Sequence, residues 1–145
     1  MIIDIERGNL RILVTGGAGF IGGCLVRRLL KTSNATVFNL DKISYASDLS
    51  GIKKSPNSQR HNLLRVDLKD YEKTFKAVEE ADPDIIFHLA AESHVDRSIE
   101  NAEPFLQSNI VGTFNILESA RKHWENMELS RKKGFRFLHI STDEV

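Results

Sequence analysis

Three glycines set three residues apart, Gly16, Gly19 and Gly22, follow the apolar run Ile12-Leu13-Val14 and precede a helical pattern. Strand, tight turn and helix start is a geometry that binds a pyrophosphate. Glycine lets backbone N–H groups close on phosphate oxygens, a later small residue lets the helix pack on the strand, and the first N–H groups of the helix carry partial positive charge. The pattern reads equally as Gly17-x-Gly19-x-x-Gly22, and taken alone it also suits an ordinary strand-to-helix turn. A dinucleotide site adds a carboxylate about 20 residues further on, at the end of the next strand. Asp41 meets that requirement behind Thr36-Val37-Phe38-Asn39-Leu40. It is expected to accept hydrogen bonds from an adenosine ribose. A carboxylate there repels a 2′-phosphate, which favours NAD over NADP. Lys42 works the other way, because a cation tolerates that phosphate.

Further polar clusters follow runs that read as strands. Asp67 and Leu68 end the third, and Asp67 either meets the adenine ring or caps a turn. His88-Leu89-Ala90-Ala91-Glu92-Ser93-His94-Val95-Asp96-Arg97-Ser98 is dense in polar groups just after a buried strand. Ligands of open α/β sheets sit beyond the carboxyl ends of strands. Ala90 and Ala91 leave room for a cofactor there, and Ser93 and His94 could reach a substrate. His88 reads as a hydrogen-bonded core histidine, and Asp96 and Arg97 either serve the site or pair with each other. Thr142, Asp143 and Glu144 follow Ser141 at the end of the fifth strand. Adjacent carboxylates can divide acid and base roles where their environments separate their pKa values. The same residues also suit a solvated acidic turn.

The elements that would position these groups alternate along the chain. Strands are expected at 10–14, 36–40, 63–66, 84–91 and 135–141. A helix from Phe20 to about Lys31 carries the apolar residues Phe20, Ile21, Cys24, Leu25 and Leu29. The polar stretch 47–62 reads as loop with one helical turn. Asp70 caps a helix over 71–81, which Asp82-Pro83 ends. A long helix over 104–124 puts Leu106, Ile110, Phe114, Leu117 and Trp124 on one stripe, and 125–134 reads as a surface loop. This alternation predicts an α/β fold: a Rossmann-like parallel sheet in the order 3-2-1-4-5, helices on both faces, truncated after a fifth strand that forms an exposed edge. Residues 1–9 read as an N-terminal extension and 10–145 as an incomplete NAD-binding domain with no substrate domain.

A chain of 145 residues suits one domain. Lys plus Arg and Asp plus Glu each number 20, so the charge balance makes no electrostatic case for nucleic acid or an acidic membrane. Cys24 is the only cysteine, which rules out a disulfide framework or a cysteine zinc cluster; its place in the first helix suggests packing. No apolar run approaches the ~20 residues of a membrane span. Residues 1–9 lack the pattern of a signal peptide, and the expected location is the cytoplasm.

Thr15-Gly16-Gly17-Ala18-Gly19-Phe20-Ile21-Gly22, Asp41-Lys42, Ala90-Ala91-Glu92-Ser93-His94-Val95-Asp96-Arg97-Ser98 and Ser141-Thr142-Asp143-Glu144-Val145 occur in this order and at these intervals. Together they resemble the dTDP-glucose 4,6-dehydratase family of extended short-chain dehydrogenases/reductases, from Leu10 to Val145. The Asp-Glu pair after Thr142 separates that family from related nucleotide-sugar epimerases. The resemblance implies NAD as cofactor, a nucleotide-sugar as substrate and no metal. It places the cofactor against Gly16, Gly19, Phe20, Ile21, Gly22, Asp41, Lys42, Ile43, Ser44, Asp67, Leu68, Leu89, Ala90, Ala91, Ser93 and Ser108. Ser93, His94 and Thr142 would meet the substrate, and Asn109 matches a structural asparagine of the long helix. The implied chemistry oxidises carbon 4 of the sugar, removes the carbon 5 proton with Glu144, protonates the departing carbon 6 hydroxyl with Asp143 and returns hydride to carbon 6. Thr142 would hydrogen-bond the carbon 4 oxygen. The family continues to a Tyr-x-x-x-Lys pair and a substrate domain that find no match here. The chain alone is therefore expected not to catalyse dehydration, and to self-associate as a dimer through the long helix.

Overall fold

The computed structural model describes residues 9–44, 47–93 and 99–141. Five short strands, β1 (Arg11–Thr15), β2 (Thr36–Leu40), β3 (His61–Leu64), β4 (Ile85–His88) and β5 (Arg136–His139), form one sheet in the order β3-β2-β1-β4-β5. Every pairing is parallel, so the expected order holds. In the central strand β1, Thr15 lies opposite Leu40 of β2 and His88 of β4. That register brings three strands to one level at their carboxyl ends.

Alternation along the strands divides the apolar residues between two layers. Leu13, Phe38 and Ile86 face α3 (Tyr71–Ala81) and α4 (Gly112–Asn126), where they pack with Val78, Ala81, Ile116 and Ala120. Ile12, Val14, Val37 and Ile85 face α1 (Phe20–Thr32) and the short α2 (Ser50–Lys53), packing with Val26, Leu29, Leu30 and Ile52. Ile12, Leu13 and Val14 are all fully buried, as a parallel strand covered on both faces requires. Each such side chain contributes roughly 1.5–3 kcal/mol relative to exposure. Asp70 caps α3 by accepting from Lys73 N at 3.1 Å, and Asp82 ends it in a left-handed conformation at φ 40°.

The first helix corrects the sequence reading. Its buried residues are Gly22, Gly23, Val26, Leu29 and Leu30, whereas Phe20 is 93% exposed, Ile21 is 65% exposed and Cys24 is also exposed. The expected apolar stripe is therefore wrong in its first turns, and Cys24 is no packing residue. Glycines make the close contact there: a Cβ on Gly22 would strike the Gly16 carbonyl.

Smaller differences have local causes. β3 starts at His61, two residues before the expected start, because the ladder with β2 runs from Val37↔His61 to Leu40↔Leu64. Beyond His88 the β4 ladder gives way: Leu89 N is shared between the Thr15 carbonyl and hydroxyl, each at 3.2 Å, and Ala90 N donates to the hydroxyl alone at 3.2 Å. The long helix is not uniform: a turn at Glu103–Phe105 leads into a π-helical segment, Leu106–Val111, and then into α4. Leu106, Ile110, Phe114 and Leu117 are 52%, 62%, 63% and 46% exposed, and the face towards the sheet is Gly112, Asn115, Ile116, Ser119 and Ala120.

Within the stretch expected to be surface loop, α5 (Leu129–Lys132) supplies Arg131. Its guanidinium donates to Asp84 Oδ1 at 3.0 and 2.8 Å and to both Asp82 carboxylate oxygens at 3.0 Å. Asp84 Oδ2 accepts from Arg11 N at 3.0 Å, and Arg11 Nε donates to the Ala81 carbonyl at 2.7 Å. This cluster clamps the amino ends of β1 and β4.

Candidate functional site

A cleft of about 560 Å³ opens at the carboxyl ends of β1, β2 and β4. Its first wall is the turn between β1 and α1. Gly16 sits at φ +70°, and a Cβ there would lie 2.8 Å from the backbone of Ala90. The turn is thus closed on one side by the chain leaving β4, and only glycine fits. Gly19 opens α1 with no side-chain cap, and the first turn carries no acidic residue. Nothing of the side chains there competes with an anion for the leading N–H groups and the positive end of the helix dipole. Gly16, Gly19, Phe20, Ile21 and Gly22 all line the cleft.

The second wall is the segment after β2. The Asp41 carboxylate accepts from Ala18 N at 3.0 Å on Oδ2 and from Ile43 N at 2.8 Å on Oδ1, with Ser47 Oγ at 3.4 Å. An ionised carboxylate has about four acceptor sites, so Oδ2 keeps capacity for a ligand hydroxyl. Lys42 and Ser44 line the cleft; Ile43, at φ 58°, contributes its N–H to Asp41. The Lys42 ammonium is paired with Glu92 Oε1 at 2.5 Å. Asp67 and Leu68 line the same wall. Asp67 Oδ1 also accepts from Lys69 N at 3.2 Å, so turn cap and cleft wall coincide in one residue.

The third wall rests on His88, which is fully buried. Thr15 Oγ1 accepts from Leu89 N and Ala90 N, so its proton goes to His88 Nδ1, 2.7 Å away. The ring therefore carries its proton on Nε2 and donates it to Thr113 Oγ1 at 3.0 Å. Burial, and next the charge of the stacked His139, push the His88 pKa down to about 4, which keeps the ring neutral. This chain of bonds fixes the exit of β4 against Gly16. Leu89, Ala90, Ala91 and Ser93 line the cleft beyond it, with Ser108 of the π-helical segment opposite. The neighbouring Asn109 holds Glu92 at both backbone ends: Oδ1 accepts from Glu92 N at 2.8 Å and Nδ2 donates to Glu92 O at 3.0 Å.

The cleft thus gathers every residue expected to meet the cofactor except Ile43. Ser93 is also placed there; His94, Thr142, Asp143 and Glu144 lie outside the described residues, as do Asp96 and Arg97. Ser141, the residue before Thr142, lines the cleft. Leu40, Ser47, Val66, Glu92 and Ile140 line it too and are not among the residues expected there from the sequence. Of these Glu92 alone carries a signal, standing inside the polar run after β4. Among the described residues no group of three or more His, Cys, Asp or Glu could hold a metal ion, and no helix is long and apolar enough to cross a membrane.

The chain is 51% identical over 136 residues to a probable dTDP-glucose 4,6-dehydratase of Sinorhizobium fredii, and 47% identical over 136 residues to the dTDP-glucose 4,6-dehydratase of Salmonella typhimurium. Each alignment covers 94% of this chain but only 39% and 38% of the relative, so the chain spans less than half their length. Among solved structures, DesIV, a dTDP-glucose 4,6-dehydratase from Streptomyces venezuelae with NAD bound, superposes with a TM-score of 0.78 at 35% identity, over 94% of this chain and 40% of that one. The sequence pattern of the GDP-mannose 4,6 dehydratase family matches residues 13–145. From the glycine turn to the end of the sequence, the chain belongs to that family.

Proposed function

We propose that this chain supplies the NAD-binding domain, and with it part of the active site, of a dTDP-glucose 4,6-dehydratase. The observation that carries the reading is the cleft. One wall is a turn too tight for side chains, the other an oriented carboxylate, and both fit a dinucleotide. The glycine turn and the start of α1 hold the pyrophosphate through backbone N–H groups. Asp41 accepts from the ribose, and Asp67 and Leu68 border the adenine. When bound, NAD supplies hydride transfer, taken from carbon 4 of the sugar and returned at carbon 6. Thr142 hydrogen-bonds the carbon 4 oxygen, and Ser93 lies near both the nicotinamide and the substrate. Glu144 removes the carbon 5 proton, and Asp143 gives a proton to the carbon 6 hydroxyl, which leaves as water. General acid–base groups of this kind contribute about 10²–10⁴ each in rate.

Tyr45 is followed four residues on by Leu49, and Tyr71 by Phe75, so the 145 residues hold no Tyr-x-x-x-Lys pair. The chain alone binds NAD without turning over dTDP-glucose. A Tyr-x-x-x-Lys encoded beyond Val145 decides for the dehydratase. The exposed face of Leu106, Ile110, Phe114 and Leu117 fits a second copy of this chain across a shared helix pair, and light scattering that reports only monomer at high concentration would count against it.

Calorimetry tests the cofactor. NAD should bind the unmutated chain, and Asp41→Ala should bind it about tenfold more weakly, the worth of one hydrogen bond to a charged group. Equal affinity of the two proteins would refute the ribose assignment. Incubation with NAD and dTDP-glucose should leave no 4-keto-6-deoxy product.

A further inference from the structure

Lys42 is the only Lys or Arg among the described residues that line the cleft, and three carboxylates, Asp41, Asp67 and Glu92, line it with that cation. A free ammonium next to Asp41 is the feature that would let the site accept a 2′-phosphate. It is not free: Nζ lies 2.5 Å from Glu92 Oε1, the two side chains being 38% and 21% exposed. Most exposed ion pairs hold their partners weakly because two mobile side chains must be ordered together. This one differs, because the Glu92 backbone is gripped at N and O by Asn109, across 17 residues of sequence. The carboxylate therefore stands on a fixed base, and it reaches across 50 residues from the end of β4 to the end of β2.

We infer that Glu92 is a specificity-determining residue: it keeps the Lys42 ammonium engaged, so that the cleft presents no available cation to a 2′-phosphate and selects NAD over NADP. The inference rests on the reading of the cleft as a dinucleotide site. It adds a second device to the repulsion by Asp41. Asp41 acts directly on the phosphate, whereas Glu92 acts by removing the one group that would compensate it.

The experiment is calorimetric titration of NAD and NADP into the unmutated chain, Glu92→Gln and the double variant Lys42→Met/Glu92→Gln. Glutamine keeps the backbone grip of Asn109 and removes the charge. In Glu92→Gln, NADP affinity relative to NAD affinity on the same variant should rise about tenfold, the effect of one new charge-assisted hydrogen bond from Lys42 to the phosphate. The increase should vanish in the double variant. An unchanged ratio of NADP to NAD affinity in Glu92→Gln, with NAD still bound, overturns the inference alone. An increase that survives in the double variant overturns it too, because it would trace to the general field of the cleft and not to Lys42. Failure of the unmutated chain to bind NAD removes the dinucleotide reading, and the inference with it.

Discussion

The two ends of the sheet are built on opposite rules. At the amino ends of β1 and β4, Arg11, Asp82, Asp84 and Arg131 satisfy one another, and the Arg131 guanidinium donates to both carboxylates and to the Asp82 carbonyl. At the carboxyl ends of the same strands, the chain leaves capacity unused: a helix start without cap or acid, a carboxylate with a spare acceptor site, and a turn stripped of side chains. A ligand needs unsatisfied groups, and unsatisfied groups cost stability.

Substitutions at each end should break this contrast differently. The largest effect belongs to Gly22→Val, whose branched side chain must displace the Gly16 carbonyl. It should abolish NAD binding in calorimetry and lower stability by ~3 kcal/mol, the upper range for overpacking. Next comes His88, at the open end beneath the cleft. Its pKa is pushed from 6.5 to about 4 in the folded chain, so between those values only the unfolded chain takes up the proton. Stability is full above the unfolded value and falls as pH drops towards 4, by up to roughly 3 kcal/mol. Urea denaturation at a series of pH values should show this slope in the unmutated chain and a shallower one in His88→Gln, where His61, its pKa also lowered by burial, still contributes.

Asp84→Ala sharpens the contrast from the other side. It removes one of the two carboxylates that hold Arg131 and leaves the Arg11 amide without its acceptor, and should cost ~2 kcal/mol of stability. NAD affinity, measured on the folded variant, should not change. The smallest effect is Cys24→Ser. Cys24 is exposed on α1 and belongs to neither end, so thermal unfolding should move by no more than the ~0.5 kcal/mol usual for surface substitutions.

What can be read from the sequence is local. The bounds of α3 and its Asp70 cap follow from neighbours in sequence, and the glycine turn with Asp41 follows from a fixed spacing. The strand order comes with the alternation of strands and helices. The parts that escape depend on distant partners. Arg131 meets Asp82 and Asp84 across 49 and 47 residues, and Lys42 meets Glu92 across 50, so nothing in either neighbourhood announces the pair. The face of α1 is misread because hydrophobicity marks packing only where packing is made by side chains. At Gly22 and Gly23 it is made by their absence. Thr142, Asp143 and Glu144 rest on their sequence alone, since they lie outside the described residues.

The π-helical segment at Leu106–Val111 has a consequence for how the long helix can change. A π turn holds an extra residue relative to an α turn, and each residue rotates an α-helix by roughly 100°. The segment therefore works as a phase slip in one continuous rod. Within the slip, Ser108 keeps an address at the cleft and Asn109 at Glu92; downstream, Phe114 and Leu117 keep an address at the outer surface. Removal of a single residue between 106 and 111 would regularise the helix and force the two addresses into one frame, so that either Asn109 lets go of Glu92 or the outer stripe swings round. Length here is a setting, and a one-residue deletion in this segment should be harder to tolerate than most substitutions of the residues it contains.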